Sequence, residues 1–249
     1  MLKQERHQFI LNELKQYRKV LSTGLSTQLS VSEDTIRRDL KELDVKKLLY
    51  KVHGGALSID KKLLSYNERS ISDLGKKEII AFKAVDLIRD GQVIIMSGST
   101  TNLALAKIIP SSITATVFTY SLPIAIELSN HPTIEVIFIG GKLNKTAQVT
   151  VGIDVVNTIS NIRADLCFMG TGGISVKQGV TEPDWEVAHI KKCMVDVSDY
   201  VVSMCVSPKL MEVKKFFVVP IQGIDAIITD LEPTEPIFDI YKETGLTVI

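Results

Sequence analysis

The chain has 249 residues, with 29 Lys plus Arg against 29 Asp plus Glu and 45% hydrophobic residues, which suits one small and one medium globular domain. No apolar run approaches the ~20 residues of a membrane span, and the charged N-terminus lacks a signal-peptide core, so a cytoplasmic protein without a membrane partner is expected. Cys167, Cys193 and Cys205 are scattered among apolar neighbours and read as reduced core thiols. His7, His53, His131 and His189 show no metal-ligand spacing, so neither a metal nor another cofactor is expected.

Taken in chain order, residues 5–17 predict an amphipathic helix with Phe9, Ile10, Leu11 and Leu14 as its apolar residues. Lys19-Val20-Leu21 reads as a short strand. Ser22 or Thr23 is expected to cap a second short helix carrying Leu25 and Leu29, with Gly24 inside it costing about 1 kcal/mol relative to Ala. Ser30-Val31 is the turn. Ser32 is then the N-cap of a third helix, in which Ile36, Leu40 and Leu43 recur at the i, i+4, i+7 spacing of one buried stripe. Arg38 points nearly opposite that stripe, and Arg37, Lys41, Asp34 and Thr35 share the exposed arc.

An exposed helix with Thr and Arg near its N-terminus has the chemistry of one that enters a DNA major groove, where Arg meets guanine edges or phosphates. The alternative reading of an Arg-Arg pair is a solvated face. Downstream, residues 48–52 read as a strand, His53-Gly54-Gly55 as a turn and Ala56-Leu57-Ser58 as a return strand, the wing of a winged helix-turn-helix. Lys51, His53 and Gly54 are placed to meet the DNA backbone there, although the glycine pair taken alone is a simple turn. Residues 1–58 hold eleven Lys or Arg against seven Asp or Glu, a net +4 that leaves −4 on the rest. A basic head on an acidic body assigns nucleic acid to the head alone.

The Ser32–Leu40 segment, followed about a dozen residues later by Val52-His53-Gly54-Gly55-Ala56, resembles the DNA-binding domain of the DeoR family of bacterial transcriptional regulators. The resemblance implies a winged helix that reads a double-stranded operator, with Ser32, Thr35, Arg37 and Arg38 in the reading helix. The expected organisation is a DNA-binding domain over 1–58, a linker over 59–75 and an α/β effector-binding domain over 76–249. The linker's core, Ser58–Ser72, is polar and aperiodic, with Tyr66 and Arg69 as candidate anchors.

From Lys76 onward, helical patterns alternate with short apolar strands. Helices are expected over 78–88, 102–108, 123–128, 151–159 and 185–194, and strands over 93–96, 115–119, 134–139, 166–169, 200–206 and 226–229. Such alternation implies a mostly parallel sheet covered on both faces, which binds ligands in loops beyond the carboxyl ends of its strands. Polar residues collect in those loops. Ser97-Gly98-Ser99-Thr100-Thr101 offers backbone N–H groups and hydroxyls as an anion cradle, although it lacks the spacing and Lys of a nucleotide P-loop. Thr119-Tyr120-Ser121, Gly140-Gly141-Lys142, Gly170-Thr171-Gly172-Gly173 and Ser207-Pro208-Lys209 are the other strand-end loops. Singly they read as caps and turns; converging on one edge, they point to a small phosphorylated ligand.

Through this half the same family resemblance continues in Gly98-Ser99-Thr100-Thr101, Gly140-Gly141, Gly170-Thr171-Gly172-Gly173-Ile174, Gly179-Val180-Thr181 and Ile228-Thr229-Asp230. It implies a sensor domain with the fold of ribose-5-phosphate isomerases, binding phosphorylated sugars through these loops together with Glu182 and Lys209. Three positions depart from the family pattern: Met96 and Val206 stand where Asp is usual, and Tyr120 where Asn is usual. A different effector, a weakened sensor, or acceptors supplied by Glu182, Asp184 or Glu186 all stay open.

The expected function is a DNA-binding repressor of a carbohydrate operon, not an enzyme, released by a phosphorylated sugar and located on the nucleoid when bound. A two-fold operator calls for a homodimer or homotetramer. The alternatives are a sugar-phosphate isomerase with an accessory DNA-binding head, using Lys209 and Glu182, and a DNA-binding regulator that has lost its effector.

Overall fold

The computed structural model describes residues 2–17, 19–58 and 66–249. Its contacts divide the chain into two units, Met1–Leu64 and Ser65–Ile249. Of the stretch expected to be a linker, residues 59–65 lie outside the described residues.

The first unit runs α1 (Lys3–Tyr17), β1 (Lys19–Leu21), α2 (Ser22–Leu29), α3 (Glu33–Val45), β2 (Leu49–Val52) and β3 (Gly55–Ser58). Its strands form one antiparallel sheet in the order β1-β3-β2. Ile10 and Leu14 of α1, Leu25 of α2, and Ile36, Leu40 and Leu43 of α3 close one apolar core with Val20, Leu49 and Ala56. Burying these side chains, at roughly 1.5–3 kcal/mol each, is what holds so small a unit together. Ser32 caps α3 as expected, its side chain accepting from Thr35 N at 3.3 Å. The expected cap of α2 is absent: Leu21 holds the N-cap position, while Ser22 is already helical and buried. The wing turn is His53-Gly54, with Gly54 at φ +79°, a conformation that favours glycine. Gly55 belongs to β3, and a Cβ there would lie 2.0 Å from Val20 O, so its glycine serves the close approach of β1 rather than the turn.

The second unit begins with α4 (Tyr66–Ile71) and α5 (Leu74–Val85). It continues through β4 (Val93–Met96), α6 (Thr100–Ala106), β5 (Ala115–Thr119), α7 (Leu122–Leu128), β6 (Ile134–Phe138), the hairpin β7 (Lys142–Asn144) and β8 (Val149–Val151), and α8 (Ile153–Ser160). Then come β9 (Leu166–Gly170), β10 (Gly173–Ser175), β11 (Gly179–Glu182), α9 (Trp185–Asp196), β12 (Val201–Met204), β13 (Phe216–Val219), β14 (Ala226–Ile228), α10 (Asp239–Lys242) and β15 (Thr247–Val248). Seven strands make an all-parallel sheet in the order β15-β14-β12-β9-β4-β5-β6. A second, antiparallel sheet of order β10-β11-β13 was not foreseen from sequence.

Alternation along the strands builds a core on each face. Ile94, Met96, Phe168, Val202, Met204 and Ile228 face Ile80, Ala81 and Ala84 of α5, Leu105 of α6 and Ile124 of α7. On the other face Ile95, Cys167, Met169, Val201 and Ile227 meet Val155 and Ile159 of α8, and Ile190 and Met194 of α9. The helix expected over 151–159 starts two residues later, because Val151 pairs with Lys142 in the β7–β8 hairpin.

Candidate functional site

In the head, α3 turns its apolar stripe inward and leaves Ser32, Arg37, Arg38 and Lys41 exposed and Thr35 partly exposed. Lys51, His53 and Gly54 are exposed on the wing. Ser32 Oγ and Thr35 Oγ1 are 2.9 Å apart. Arg37 sits 3.3 Å from Asp34 and 3.5 Å from Glu33, solvent-exposed pairs that contribute little and yield readily to a phosphate. The same helix carries a residue that pattern reading passed over. Asp39 is 2% exposed, and its carboxylate accepts from Arg6 Nε at 2.7 Å and Nη2 at 3.2 Å, with His7 Nε2 at 3.1 Å. Burial alone would raise this carboxyl, but the bonds from Arg6 and His7 outweigh it and hold Asp39 below the usual carboxylate range. This staple fixes α3 on α1 and so sets the angle at which the exposed arginines are presented. The sequence signal was an acidic residue at a position flanking the buried stripe, with Arg6 and His7 adjacent on the first helix.

In the second unit, the expected loops follow the carboxyl ends of β4, β5, β6, β9 and β12. The structure sorts their residues into two groups. Ser97 is consumed internally: its Oγ accepts from Gly170 N at 2.8 Å, tying the β4 loop to the end of β9. Ser99 is the N-cap of α6, accepting from Asn102 N at 2.9 Å, and Asn102 Nδ2 reaches Ser97 O and Phe168 O, each at 2.8 Å. Thr101 is buried and Gly98 and Thr100 are partly exposed in the same loop. Gly170 allows this packing, because a Cβ there would lie 2.3 Å from Ser99 Cβ. Gly140 and Gly141 stand apart from that loop: both are exposed, and the atoms around Gly141 belong to Val155, Val151 and Thr150. Lys142 beside them is exposed and reaches Glu186 at 3.9 Å. Met96 and Val206 are packed in the apolar layer under α5, where an Asp would be buried among hydrocarbon.

The second group is cationic and centred on Glu182, at the end of β11. Glu182 is buried and forms an ion pair with buried Lys191 of α9, which also donates to Gly170 O. Lys191 falls in the buried stripe of α9 with Val187, Ala188, Ile190 and Met194. A lysine at that spacing was the available signal. Gly172 leaves room here, since a Cβ would meet Glu182 Oε2 at 2.9 Å. Lys209 donates to Thr171 O at 2.7 Å, and the Thr171 hydroxyl meets Ser203 Oγ. Burial depresses the Lys209 ammonium, attraction to Cys205 and Glu182 opposes this, and the charges of Lys191 and Arg69 push it down further. Asp230 positions this lysine's turn, accepting from Ser207 N at 2.6 Å and Ser207 Oγ at 2.8 Å while facing Lys76 Nζ at 3.3 Å.

Arg69 and Tyr66 join the group from α4. Desolvation lowers Arg69, and the charge of Glu182 opposes this. Its guanidinium lies 5.7 Å from the Tyr66 ring centroid. Lys77, brought down to about 8 chiefly by burial, donates to Arg69 O and Ser72 O and so holds the end of α4. Within this region Tyr66 Oη, Arg69 Nε and Ser121 Oγ are buried without a hydrogen-bond partner among the described residues, while the buried Tyr120 hydroxyl lies against Gly98 and Ser97. Gly173, the last of the loop glycines, lies instead against the backbone of Glu212.

These elements define a two-part regulator, in which a winged helix presents an exposed basic helix and a parallel α/β unit carries a cationic cluster at the carboxyl edge of its sheet. Family models agree with both parts. One described as a DeoR-like helix-turn-helix domain matches residues 6–62, and one described as a DeoR C terminal sensor domain matches residues 72–231. The chain belongs to the DeoR family of transcriptional regulators. It is 34% identical to the HTH-type transcriptional regulator GolR of Listeria innocua, over 98% of this chain and 97% of that relative. It is 31% identical to the HTH-type transcriptional repressor GlcR of Bacillus subtilis, over 100% and 96%. Identity with the glycerol-3-phosphate regulon repressor of Escherichia coli is 27%, over 98% and 97%. Among solved structures, a ribose 5-phosphate isomerase A from Methanocaldococcus jannaschii matches 56% of this chain and 55% of its own, with TM-score 0.42 and 14% identity.

Proposed function

We propose that this regulator is a repressor whose second unit binds a small phosphorylated sugar, and that occupancy there lowers the affinity of the head for its operator. The carrying observation is the set of buried polar atoms that lack partners among the described residues, Tyr66 Oη, Arg69 Nε and Ser121 Oγ, beside Lys209, which donates to Thr171 O. Native proteins rarely leave such groups unpaired, and a phosphorylated, hydroxyl-bearing ligand supplies both the acceptors and the charge. Curated relatives named as repressors, one of them for a glycerol-3-phosphate regulon, support this reading.

In the proposed arrangement Ser32, Thr35, Arg37, Arg38 and Lys41 contact the operator from α3, and Lys51, His53 and Gly54 from the wing. The ligand contacts the loops of Ser97–Thr101, Tyr120-Ser121 and Gly170–Gly173, with Glu182 and Lys209. Residues 1–58 serve DNA and the second unit serves the effector; of the stretch 59–75 expected to connect them, α4 and the first residues of α5 belong to the second unit. A two-fold operator requires two heads, so the working form is a homodimer or homotetramer. Among the described residues no helix is long and apolar enough to cross a membrane, and the protein is proposed to act in the cytoplasm.

Two features favour a binding site over an isomerase. Glu182, the candidate base, is held by Lys191 in a buried ion pair, and the strand-end positions of Met96 and Val206 offer hydrocarbon. Calorimetry of the full chain against a panel of sugar phosphates, run beside an isomerase assay with the same compounds, tests the proposal. Saturable binding without turnover is expected. Turnover, or binding by none of the panel, overturns it.

A further inference from the structure

We propose that Arg69 is a ligand-binding residue, and that the bound anionic group bridges Arg69 on α4 to Lys209 at the sheet edge, so that α4 is clamped down by the ligand. This rests on the reading of the sheet edge as an anion site and adds the element through which occupancy reaches the head.

Four observations carry it. Arg69 Nε and the hydroxyl of Tyr66, itself 5% exposed, are buried on α4 without partners. Ser121 of the β5 loop is fully buried and likewise leaves Oγ unpaired among the described residues. Glu182, whose charge acts on both Arg69 and Lys209, is already bonded to Lys191. Arg69, Lys191 and Lys209 therefore share one negative charge, an imbalance that a dianionic phosphate removes. A planar guanidinium can engage two oxygens of such a group at once, which an ammonium cannot.

Besides the buried ring of Tyr66, the attachments of α4 to its unit are polar among the described residues. Tyr66 N donates to Thr146 O at 2.8 Å, Gln148 Nε2 donates to Asn67 Oδ1 at 3.4 Å, and Lys77 holds the carbonyls of Arg69 and Ser72. Ile71, at the end of α4, is 64% exposed. A helix of six residues with so little apolar burial is poorly held by its own packing. Charge-assisted bonds from a ligand to Arg69 are therefore a large fraction of what fixes it. In sequence, α4 is the first described element after the wing strand β3, separated from it by residues 59–65. The ligand need only bind the clamped state of α4 better than the free one to bias the equilibrium between them.

The test uses the full chain, with inorganic phosphate and ribose 5-phosphate as probes. Melting temperature gives binding, and amide hydrogen exchange over residues 66–71 gives clamping. In the parent protein a probe should raise the melting temperature and slow exchange in α4 severalfold. Arg69→Gln should weaken the probe about tenfold or more, and Arg69→Lys should fall between, while both keep the unliganded melting profile. A probe that stabilises the parent while α4 exchange stays unchanged overturns the clamp and leaves the ligand site standing. So does an Arg69→Gln variant that binds the probe as tightly as the parent. If no probe or panel sugar phosphate stabilises the parent, the ligand site and the clamp fall together. The exchange measurement on the parent decides the matter even if Arg69→Gln fails to fold.

Discussion

Replacing Asp39 with Asn keeps the shape of the side chain and removes the charge that anchors α3 to α1. Asn offers one acceptor where the carboxylate offers two oxygens to Arg6 and one of the same oxygens to His7, and it turns an amide donor toward donors. A hydrogen bond to a charged group contributes about 1.5–3 kcal/mol, and breaking a buried ion pair costs about 3–5 kcal/mol. Arg6 is 12% exposed at its side chain, so water recovers part of that loss, and a cost of about 2–4 kcal/mol is expected. A domain of this size holds roughly 3–9 kcal/mol in all, so the head of Asp39→Asn should be partly unfolded near its normal working temperature. The assay is urea unfolding of the full chain. Circular dichroism follows helix loss, and the fluorescence of Trp185, in the second unit, reports that unit alone. The head transition should move to lower urea while the Trp185 transition stays in place. The pH dependence provides a second check. The folded carboxyl of Asp39 lies below its unfolded value, so its stabilisation is present above about pH 4 and is lost as pH falls through the folded value. Asp39→Asn should flatten that acid limb. A head transition within about 0.5 kcal/mol of the parent, or an unchanged acid limb, would refute the staple.

Other consequences follow from the same contacts. Arg37→Ala and Arg38→Ala should each weaken operator affinity by about 1–3 kcal/mol if they contact bases, with the melting of the head unchanged; gel-shift titration reads the first and calorimetry the second. Equal affinity in the double variant would remove α3 from the interface. Gly170→Ala places a Cβ 2.3 Å from Ser99 Cβ and should destabilise the second unit by about 1–3 kcal/mol, seen as an earlier Trp185 transition. Lys191→Met removes the ion-pair partner of buried Glu182 and should cost about 3–5 kcal/mol, whereas Lys191→Met combined with Glu182→Gln should recover part of it, a double-mutant cycle that additive losses would contradict.

The sequence was most legible where burial on both faces forces a simple pattern. Val93–Met96 is a continuous apolar run and Ala115–Thr119 a run of β-branched and apolar residues, each between polar loops, and both strands occupy those residues. Ile36, Leu40 and Leu43 likewise placed α3 and its exposed arc, because one helix face must be dry. The antiparallel sheet of β10, β11 and β13 was hidden: its first two strands are only three and four residues long, each begins with Gly, and Thr181 and Glu182 break the apolar run. Helix α4 was hidden by its polar composition, since only Tyr66 is buried in it. Strand-end reasoning found the loops but could not tell that Ser97 is spent on Gly170 and Asn102, or that Gly141 faces Val155. Lys77, Lys191 and Asp39 were missed, and Arg69 was read only as an anchor of the linker, for one reason. Each is a charge set into a buried or half-buried place, and patterning rules assign charges to water.

One chain is proposed to read DNA with its first unit and to be released by a ligand in its second. Fluorescence anisotropy of the full chain on the DNA upstream of its own gene and neighbouring genes, repeated with and without a panel of sugar phosphates, measures both halves at once. The account predicts a salt-sensitive, saturable complex with one fragment, weakened severalfold or more by at least one phosphorylated sugar and not by its unphosphorylated counterpart. Tight binding to every fragment alike, or a specific complex that no phosphorylated sugar weakens, would contradict it.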